Sequence, residues 1–158
     1  MYGDLLNTLE MKLAGHITKD GNRIILTAQK NCTWKQGIYA WVEVTTEGCP
    51  ISVLYVGKAG KTLKARCRQH TDGLANAKSK VGRRNARALR DAFERDNSVV
   101  IYARKSATAR IFEQTVTLND AEEEAANYVL KPKLNPRREA ELVYDVVVAG
   151  KMELPEPV

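Results

Sequence analysis

Two β-prone runs joined by a turn-rich connector constrain the fold of this 158-residue chain most strongly. Residues 37–44 read GIYAWVEV, residues 51–57 read ISVLYVG, and the six residues between them, TTEGCP, are typical of a turn. This arrangement predicts an antiparallel hairpin. Because side chains on a strand alternate between two faces, a paired register can bring Tyr39 and Tyr55 onto one face. Two adjacent phenols followed by a run of cations indicate more than a packed core.

The positive charge of the chain is concentrated in its middle. Residues 58–110 contain 15 Lys and Arg against 4 Asp and Glu, whereas the net charge of the whole chain is +6. The flanking segments are therefore acidic on balance. A basic stretch of this kind favours a polyanionic partner, nucleic acid first, although a solvated basic surface is a common alternative.

Length and composition predict a single soluble, intracellular domain. Apolar residues make up 44% of the chain, no run of 18 apolar residues occurs, and the N-terminus lacks a signal-peptide pattern. The three cysteines, Cys32, Cys49 and Cys67, are odd in number and widely spaced. They fit neither a disulfide framework nor a zinc site, so we expect reduced thiols.

The remaining patterns predict an α+β fold with a small mixed or antiparallel central sheet flanked by helices. Thr62 is the expected N-cap of a helix that residues 71–73 interrupt. The other expected elements are a helix in residues 2–13, a strand at 23–28, an amphipathic helix at 83–95, strands at 98–104 and 111–118, a helix at 121–130 and a strand at 141–148.

The residues that follow Tyr55, KAGKTLKARCRQH after Val56 and Gly57, combine phosphate-binding and proton-transferring groups. Arg66 and His70 are four residues apart and share a face of the expected helix. Arg66 can hold a phosphate by two parallel hydrogen bonds, and His70 can move a proton near neutral pH. Lys58 lies at the hairpin exit. Each of these residues alone is common at a surface, but the set in this order is hard to explain by packing.

The order of these elements resembles that of the GIY-YIG nuclease superfamily over residues 36–136. The resemblance rests on six motifs in this order: GIY at 37–39, YVG at 55–57, Arg66, His70, a helical glutamate and PKLN at 132–135. The segments YVGKAGKTLKAR and AFERDNSVVIYARK are most similar to those of a bacteriophage member. The resemblance implies a metal-dependent DNA endonuclease of a bacterial or phage-infected cytoplasm, with an N-terminal extension (1–35) and a nuclease domain (36–150). The sequence of residues 151–158 itself predicts a disordered tail.

The resemblance also implies catalytic roles. Tyr39 would activate the attacking water, as a general base or through a relay, and Tyr55 would position that water or the scissile phosphate. Arg66 would stabilise the charge that grows on phosphorus. His70 would assist proton transfer or bind phosphate. Lys58 would match a basic residue that several members carry.

A helical glutamate would bind a divalent cation, Mg²⁺ or Mn²⁺, in the same scheme. Three glutamates are adjacent at residues 122–124, so the phase of the helix must decide among them. Glu122 has apolar residues at +3, +4, +7 and +8, the stripe expected to pack on the sheet. We therefore expect Glu122 to be the ligand, with Glu123 as the second choice, and Asn135 to brace the site from the following loop.

Further cations are expected to bind DNA phosphates, which gives affinity but little sequence information. They are Lys61, Lys64, Arg68, Lys78, Lys80, Arg83, Arg84 and Arg87. The phage member carries a functional lysine early in the helix that precedes the strand at 98–104. The corresponding stretch of this chain, Arg83–Asn85, contains no lysine, and Arg84 is the expected substitute for it. One site per chain cuts one strand, so double-strand cleavage would need a homodimer or homotetramer. The alternative is a protein of the same fold that binds nucleic acid without cutting it or prefers single strands.

Overall fold

An antiparallel five-stranded sheet organises the computed structural model, which describes residues 1–76 and 78–136. The elements are α1 (Tyr2–Thr8), β1 (Lys12–Asp20), β2 (Arg23–Ala28), β3 (Lys35–Val44), β4 (Pro50–Thr62), α2 (Leu63–Ala75), α3 (Lys80–Glu94), β5 (Ser98–Lys105), β6 (Thr108–Ile111), β7 (Gln114–Thr117) and α4 (Asn119–Leu130). The strand order in the sheet is β2-β1-β5-β3-β4, and β6 pairs with β7 in a separate ribbon. The α+β class and the antiparallel sheet predicted from the sequence are confirmed.

The predicted hairpin is formed by β3 and β4, and its register brings the two tyrosines together. Tyr39 lies opposite Gly57, and Trp41 lies opposite Tyr55. Tyr39 and Tyr55 are therefore diagonal neighbours on one face, with ring centroids 6.1 Å apart. A Cβ atom at Gly57 would lie 2.6 Å from the Tyr39 hydroxyl oxygen and 2.8 Å from a Tyr55 ring carbon. The glycine thus makes room for both rings.

Strand β3 is buried on both faces, which explains why residues 37–44 are apolar almost without alternation. Tyr39 and Trp41 face a core that includes Leu63 and Cys67 of α2 and Leu89 of α3. The alternate residues of β3 face a second core that α1 and α4 complete. The site described below lies on the α2 side and at the edge of the sheet formed by β4.

The N-terminal segment departs from the prediction. The helix expected over residues 2–13 ends at Thr8, and residues 12–20 form β1, which pairs with β5 of the central sheet. A Cβ at Gly15 of β1 would lie 2.3 Å from the Thr27 carbonyl oxygen, so this glycine permits close strand pairing. Residues 1–35 therefore add α1 and two strands to the same sheet as the hairpin.

Three other boundaries differ from the prediction. Helix α2 continues through residues 71–73 to Ala75, because the buried Thr71 packs on β2 and its Oγ1 accepts a hydrogen bond from Leu26 N at 3.0 Å. Helix α3 begins at Lys80 rather than residue 83. Residues 111–118 include the tip of the β6–β7 ribbon, where Phe112 and Glu113 have positive φ angles. The predicted strand at 141–148 and tail at 151–158 lie outside the described residues.

No helix in the described part of the chain has the length and apolar character needed to cross a membrane.

Candidate active site

The hydroxyl group of Tyr39 lies in a hydrogen-bonded cluster with two residues of α2. Its oxygen is 2.5 Å from His70 Nε2 and accepts a hydrogen bond from Arg66 Nε at 3.1 Å. Thr62 caps the helix, because its Oγ1 accepts a hydrogen bond from Ala65 N at 3.2 Å. This cap starts α2 directly after β4, so the first two turns of the helix present Arg66 and His70 to β3.

Aromatic rings hold His70 in place. The imidazole packs edge-on against Tyr39, Trp41 and Tyr55, with centroid distances of 5.7, 4.9 and 5.4 Å. Trp41 is fully buried and also stacks on Tyr55 at 4.6 Å. Sequence reasoning did not single out Trp41, although its position two residues after Tyr39 on the same strand places both on one face.

The environment fixes the protonation states of the cluster. Burial, followed by the nearby charge of Arg66, lowers the pKa of His70 to about 3, so the imidazole is neutral at neutral pH. Burial, followed by the proximity of Tyr55, raises the pKa of Tyr39 above its usual value. Burial opposes the charge of Arg66, but its interactions with Tyr39 and Tyr55 outweigh burial and raise its pKa.

These protonation states determine which partner the Tyr39 hydroxyl donates its hydrogen bond to. The guanidinium of Arg66 can only donate, so the Tyr39 oxygen is the acceptor in that hydrogen bond. The neutral imidazole of His70 can accept at Nε2 when its own proton is on Nδ1. We assign this tautomer from the hydrogen-bond network: the phenol donates its proton to His70 while it accepts from Arg66.

A cleft of about 340 Å³ adjoins the cluster at Arg66. Its lining includes the cations Lys58, Lys61 and Arg66 and one carboxylate, Glu123. Arg66 Nη1 also donates to Gln69 Oε1 at 3.1 Å on the cleft wall. Three cations around one carboxylate can accept an anionic group together with a small cation.

The structure places Glu123 rather than Glu122 in this cleft. Glu122 Oε1 instead accepts hydrogen bonds from Arg104 Nη2 at 2.6 Å and from Ala107 N at 3.1 Å. The buried residues of α4 are Ala125, Ala126, Asn127 and Leu130, at +2, +3, +4 and +7 from Glu123. Three residues of the apolar stripe that favoured Glu122, namely Ala125, Ala126 and Leu130, are buried as expected. Burial of this stripe does not decide which carboxylate enters the cleft, because successive residues of a helix point about 100° apart.

Lys58 projects from β4 toward the start of α4. Its ammonium pairs with the Asp120 carboxylate and lies 4.0 Å from Glu123 Oε2. Side chains from the strand and the helix therefore meet at the cleft. Lys58 therefore lies beside Glu123, whereas Arg66 and His70 contact the Tyr39 hydroxyl.

Asn135 binds the backbone of β4 and does not line the cleft. Its Oδ1 accepts from Val56 N at 3.1 Å, and its Nδ2 donates to Val56 O at 2.5 Å. The amides of Lys133 and Leu134 donate to the carbonyls of residues 53 and 54. This loop covers the open edge of β4 and holds the strand between Tyr55 and Gly57, so Asn135 is a positioning residue.

The eight cations predicted to bind DNA are all exposed: Lys61, Lys64, Arg68, Lys78, Lys80, Arg83, Arg84 and Arg87. Lys64 and Arg68 lie one turn apart on α2 and line a neighbouring cleft of about 250 Å³ together with Arg23 of β2. Sequence reasoning missed Arg23, because the packing of β2 on α2 is a long-range contact. Because α3 begins at Lys80, a lysine occupies its first turn beside Arg83 and Arg84.

One carboxylate in the cleft is compatible with Mg²⁺. Within residues 1–76 and 78–136, no three His, Cys, Asp or Glu side chains are grouped closely enough to hold a metal ion by themselves. Mg²⁺ usually keeps several waters and binds through one or two carboxylates together with substrate phosphates. Glu123 fits that description, because it lies in a cleft whose other charged groups can hold a phosphate.

Comparison with known proteins supports the fold. No protein-family model matches the chain, and no curated protein sequence matches it. A mutant of bacteriophage T4 EndoII is similar in structure, with a TM-score of 0.60 and 18% identity over 84% of this chain and 97% of that chain. The restriction endonuclease HPY188I in complex with product DNA has a TM-score of 0.47 and 17% identity over 73% and 68% of the two chains. The chain therefore has the same α+β fold as bacteriophage T4 EndoII, with an antiparallel five-stranded sheet and, in the described residues, four helices.

Proposed function

We propose that this protein is a metal-dependent DNA endonuclease that hydrolyses phosphodiester bonds. The observation that carries the proposal is the Tyr39 hydroxyl, which is hydrogen-bonded to both Arg66 and His70 beside a cationic cleft. Burying a phenol, a guanidinium and an imidazole together removes three polar groups from water, which packing alone does not require. The nuclease fold supports the same conclusion.

Arg66 connects the cleft to the hydroxyl. Its guanidinium lines the cleft, and its Nε contacts Tyr39, so a phosphate held by Arg66 lies next to the phenol. Tyr39 is only 1% exposed in the free protein, where Arg66 and His70 cover its oxygen. In the proposed mechanism, phosphate binding draws Arg66 toward the cleft and admits one water to the hydroxyl.

The proton path follows from the geometry of the cluster. As the water oxygen forms its bond to phosphorus, its proton passes to the Tyr39 oxygen, and the phenol proton passes to His70 Nε2. The bond from phosphorus to the 3′-oxygen breaks, which leaves a 5′-phosphate and a 3′-hydroxyl. The 3′-oxygen takes a proton from solvent, and His70 returns one to solvent. The phenol stays neutral in this relay, and Arg66 stabilises the negative charge that grows on the phosphate.

We propose Glu123 as the protein ligand of the divalent cation, Mg²⁺ or Mn²⁺. When bound, such a cation neutralises charge on the phosphate and on the leaving oxygen. Lys58 is proposed to keep the carboxylate of Glu123 directed into the cleft and to contact the phosphate. Glu122 anchors the chain through Arg104 and the Ala107 amide instead.

The exposed cations of α2 and α3 are proposed to bind the DNA backbone, which would make binding strongly dependent on salt. Tyr55 is proposed to position the phosphate, because it contacts both the Tyr39 ring and Arg66. One such site cuts one strand at a time. Cleavage of both strands would therefore require a homodimer or homotetramer.

Incubation with supercoiled plasmid tests this function. We expect nicked or linear product with Mg²⁺ or Mn²⁺ and intact plasmid with EDTA. Arg66→Ala should slow cleavage by about a hundredfold or more, on the scale of a single charge-stabilising group. The matched control is Arg110→Ala, because Arg110 is 70% exposed on the β6–β7 ribbon and pairs only locally with Glu113 in the described contacts.

Sequencing of the product ends would give strandedness and site preference in the same experiment. Plasmid that is bound but stays intact with both metals would contradict the endonuclease proposal and favour a protein that only binds nucleic acid.

A further inference from the structure

A second cleft, of about 310 Å³, opens at the same end of the sheet as the Tyr39 cluster. Trp34 forms part of its lining, together with Lys12, Lys105, Gln29 and Asn31. The proposed reaction uses none of these five residues. They combine one aromatic ring, two cations and two amides. Glu10 and Arg104 also line the cleft, and their opposite charges pair with each other at 3.3 Å.

The strand register connects this cleft to the candidate active site. Gly37 of β3 lies between Ala59 of β4 and Lys105 of β5. Lys12 of β1 pairs with Ala103, two residues before Lys105. The second cleft therefore lies across β5 and β1, whereas the first lies at the end of β4.

Gly37 explains how Trp34 reaches this position. A Cβ atom on Gly37 would lie 2.3 Å from Trp34 Cζ3, so the indole occupies the space that a side chain would fill. Gly37 and Tyr39 are two residues apart and face the same side of β3. The half-buried Trp34 packs against the core cluster that contains Tyr39 and also lines the cleft.

The separation of the two clefts corresponds to a few nucleotides. Neighbouring strands are about 4.8 Å apart, so β5 lies about 10 Å from β4 across β3. One strand of DNA rises about 3.4 Å per nucleotide. A strand whose scissile phosphate is at Arg66 would therefore pass the Trp34 cleft about three nucleotides away.

The chemistry of the lining fits one nucleotide. Bases stack on aromatic side chains regardless of sequence, because every base has a π-face. Amides such as those of Gln29 and Asn31 can donate to and accept from base edges, and Lys12 and Lys105 can contact the flanking phosphates. A base inside a duplex is already stacked, so one that enters the cleft must first leave its neighbours.

We propose that the Trp34 cleft binds a single unstacked nucleobase of the DNA strand, about three nucleotides from the phosphate that is cut. This inference rests on the proposed nuclease function and adds a second subsite to it. The subsite favours substrates in which a base is easily unstacked, such as single-stranded or mismatched DNA.

Tryptophan fluorescence in EDTA tests the subsite without cleavage. The chain has two tryptophans, and Trp41 is fully buried, so quenching by a short single-stranded oligonucleotide reports on Trp34. Binding is measured in parallel by the anisotropy of a labelled oligonucleotide. We expect quenching in the wild type, and binding about tenfold weaker in Trp34→Leu, which is a loss of about 1.4 kcal/mol.

Two variants control for folding and for nonspecific aromatic contacts. Trp34→Phe keeps a stacking ring and should retain most of the affinity. Tyr128→Leu removes an exposed aromatic of α4 that lines neither cleft and should bind like the wild type. An oligonucleotide that binds without quenching, or that binds Trp34→Leu as tightly as the wild type, would overturn the subsite.

A cleavage experiment tests the position of the subsite. An abasic nucleotide three positions from a mapped cut site should slow cleavage by the wild type and have little effect on Trp34→Leu. Equal slowing in both proteins would refute the placement. Plasmid cleavage without fluorescence quenching would refute the proposed subsite alone. Quenching without any cleavage would refute the proposed nuclease function alone.

Discussion

Separate Glu122→Gln and Glu123→Gln substitutions distinguish the proposed metal ligand from its neighbour. Each keeps the size of the side chain and removes one negative charge. Glu122 forms an ion pair with Arg104 at 2.6 Å, and both side chains are largely buried, at 17% and 23% exposure. Glu123 lies in the cleft beside Lys58. The two variants should therefore fail in different assays.

The stability effect of Glu122→Gln can be worked from its contacts. The substitution replaces hydrogen bonds to a charged group, which contribute about 1.5–3 kcal/mol, with ordinary ones, which contribute about 0.5–1.5 kcal/mol. The free energy of unfolding should therefore fall by about 1 kcal/mol. Arg104 keeps its 3.3 Å contacts with Glu10 and with the Leu9 carbonyl, which limits the loss. For a chain of this length the melting temperature should fall by about 2–4 °C. The cleavage rate should stay within a few-fold of the wild type.

Glu123→Gln should slow single-turnover cleavage by about a hundredfold or more, because it removes the proposed ligand of the cation. Its 4.0 Å pair with Lys58, which is 42% exposed, contributes at most about 1 kcal/mol to stability. Circular dichroism melts in EDTA and cleavage of a labelled duplex over a range of Mg²⁺ concentrations measure both effects. Normal cleavage by Glu123→Gln together with slow cleavage by Glu122→Gln would refute the assignment.

Three further substitutions test the framework of the site. Gly57→Ala should displace both tyrosine rings of the hairpin and slow cleavage at least about tenfold, and an unchanged near-ultraviolet spectrum would argue against this displacement. Asn135→Ala leaves the N–H and C=O of Val56 without their partner and should lower the free energy of unfolding by about 1–3 kcal/mol in urea; an unchanged urea midpoint would show that the loop does not hold β4. His70 has a pKa of about 3 when folded and about 6.5 when unfolded, so the unfolded state binds more protons between these values and stability rises with pH across them. His70→Gln should flatten that rise, and an undiminished slope would contradict the assigned pKa.

Features that depend on local sequence were predictable. The two β-prone runs and the turn residues of positions 37–57 predicted the hairpin that β3 and β4 form. The Thr62 cap and the four-residue spacing in α2 placed Arg66 and His70 together at the Tyr39 hydroxyl. Their chemical roles remain predictions.

Features that depend on long-range packing were not predictable. Residues 12–20 show little alternation and become a strand because they pair with β2 on one side and, on the other, with β5, which lies about 85 residues away in the sequence by register. The apolar stripe of α4 did not show which glutamate enters the cleft, because the carboxylate of Glu122 pairs with Arg104, a partner on a distant strand. The role proposed for Trp34 depends on the position of its indole in the space above Gly37, which the sequence does not show.

The Tyr39→Phe variant tests the central claim most directly, because it removes only the oxygen that contacts Arg66 and His70. We expect it to fold normally and to bind DNA with nearly wild-type affinity in EDTA. In the presence of Mg²⁺ its plasmid cleavage should be slower than that of the wild type by about a hundredfold or more. Cleavage by Tyr39→Phe at the wild-type rate would contradict the claim that this hydroxyl activates the attacking water.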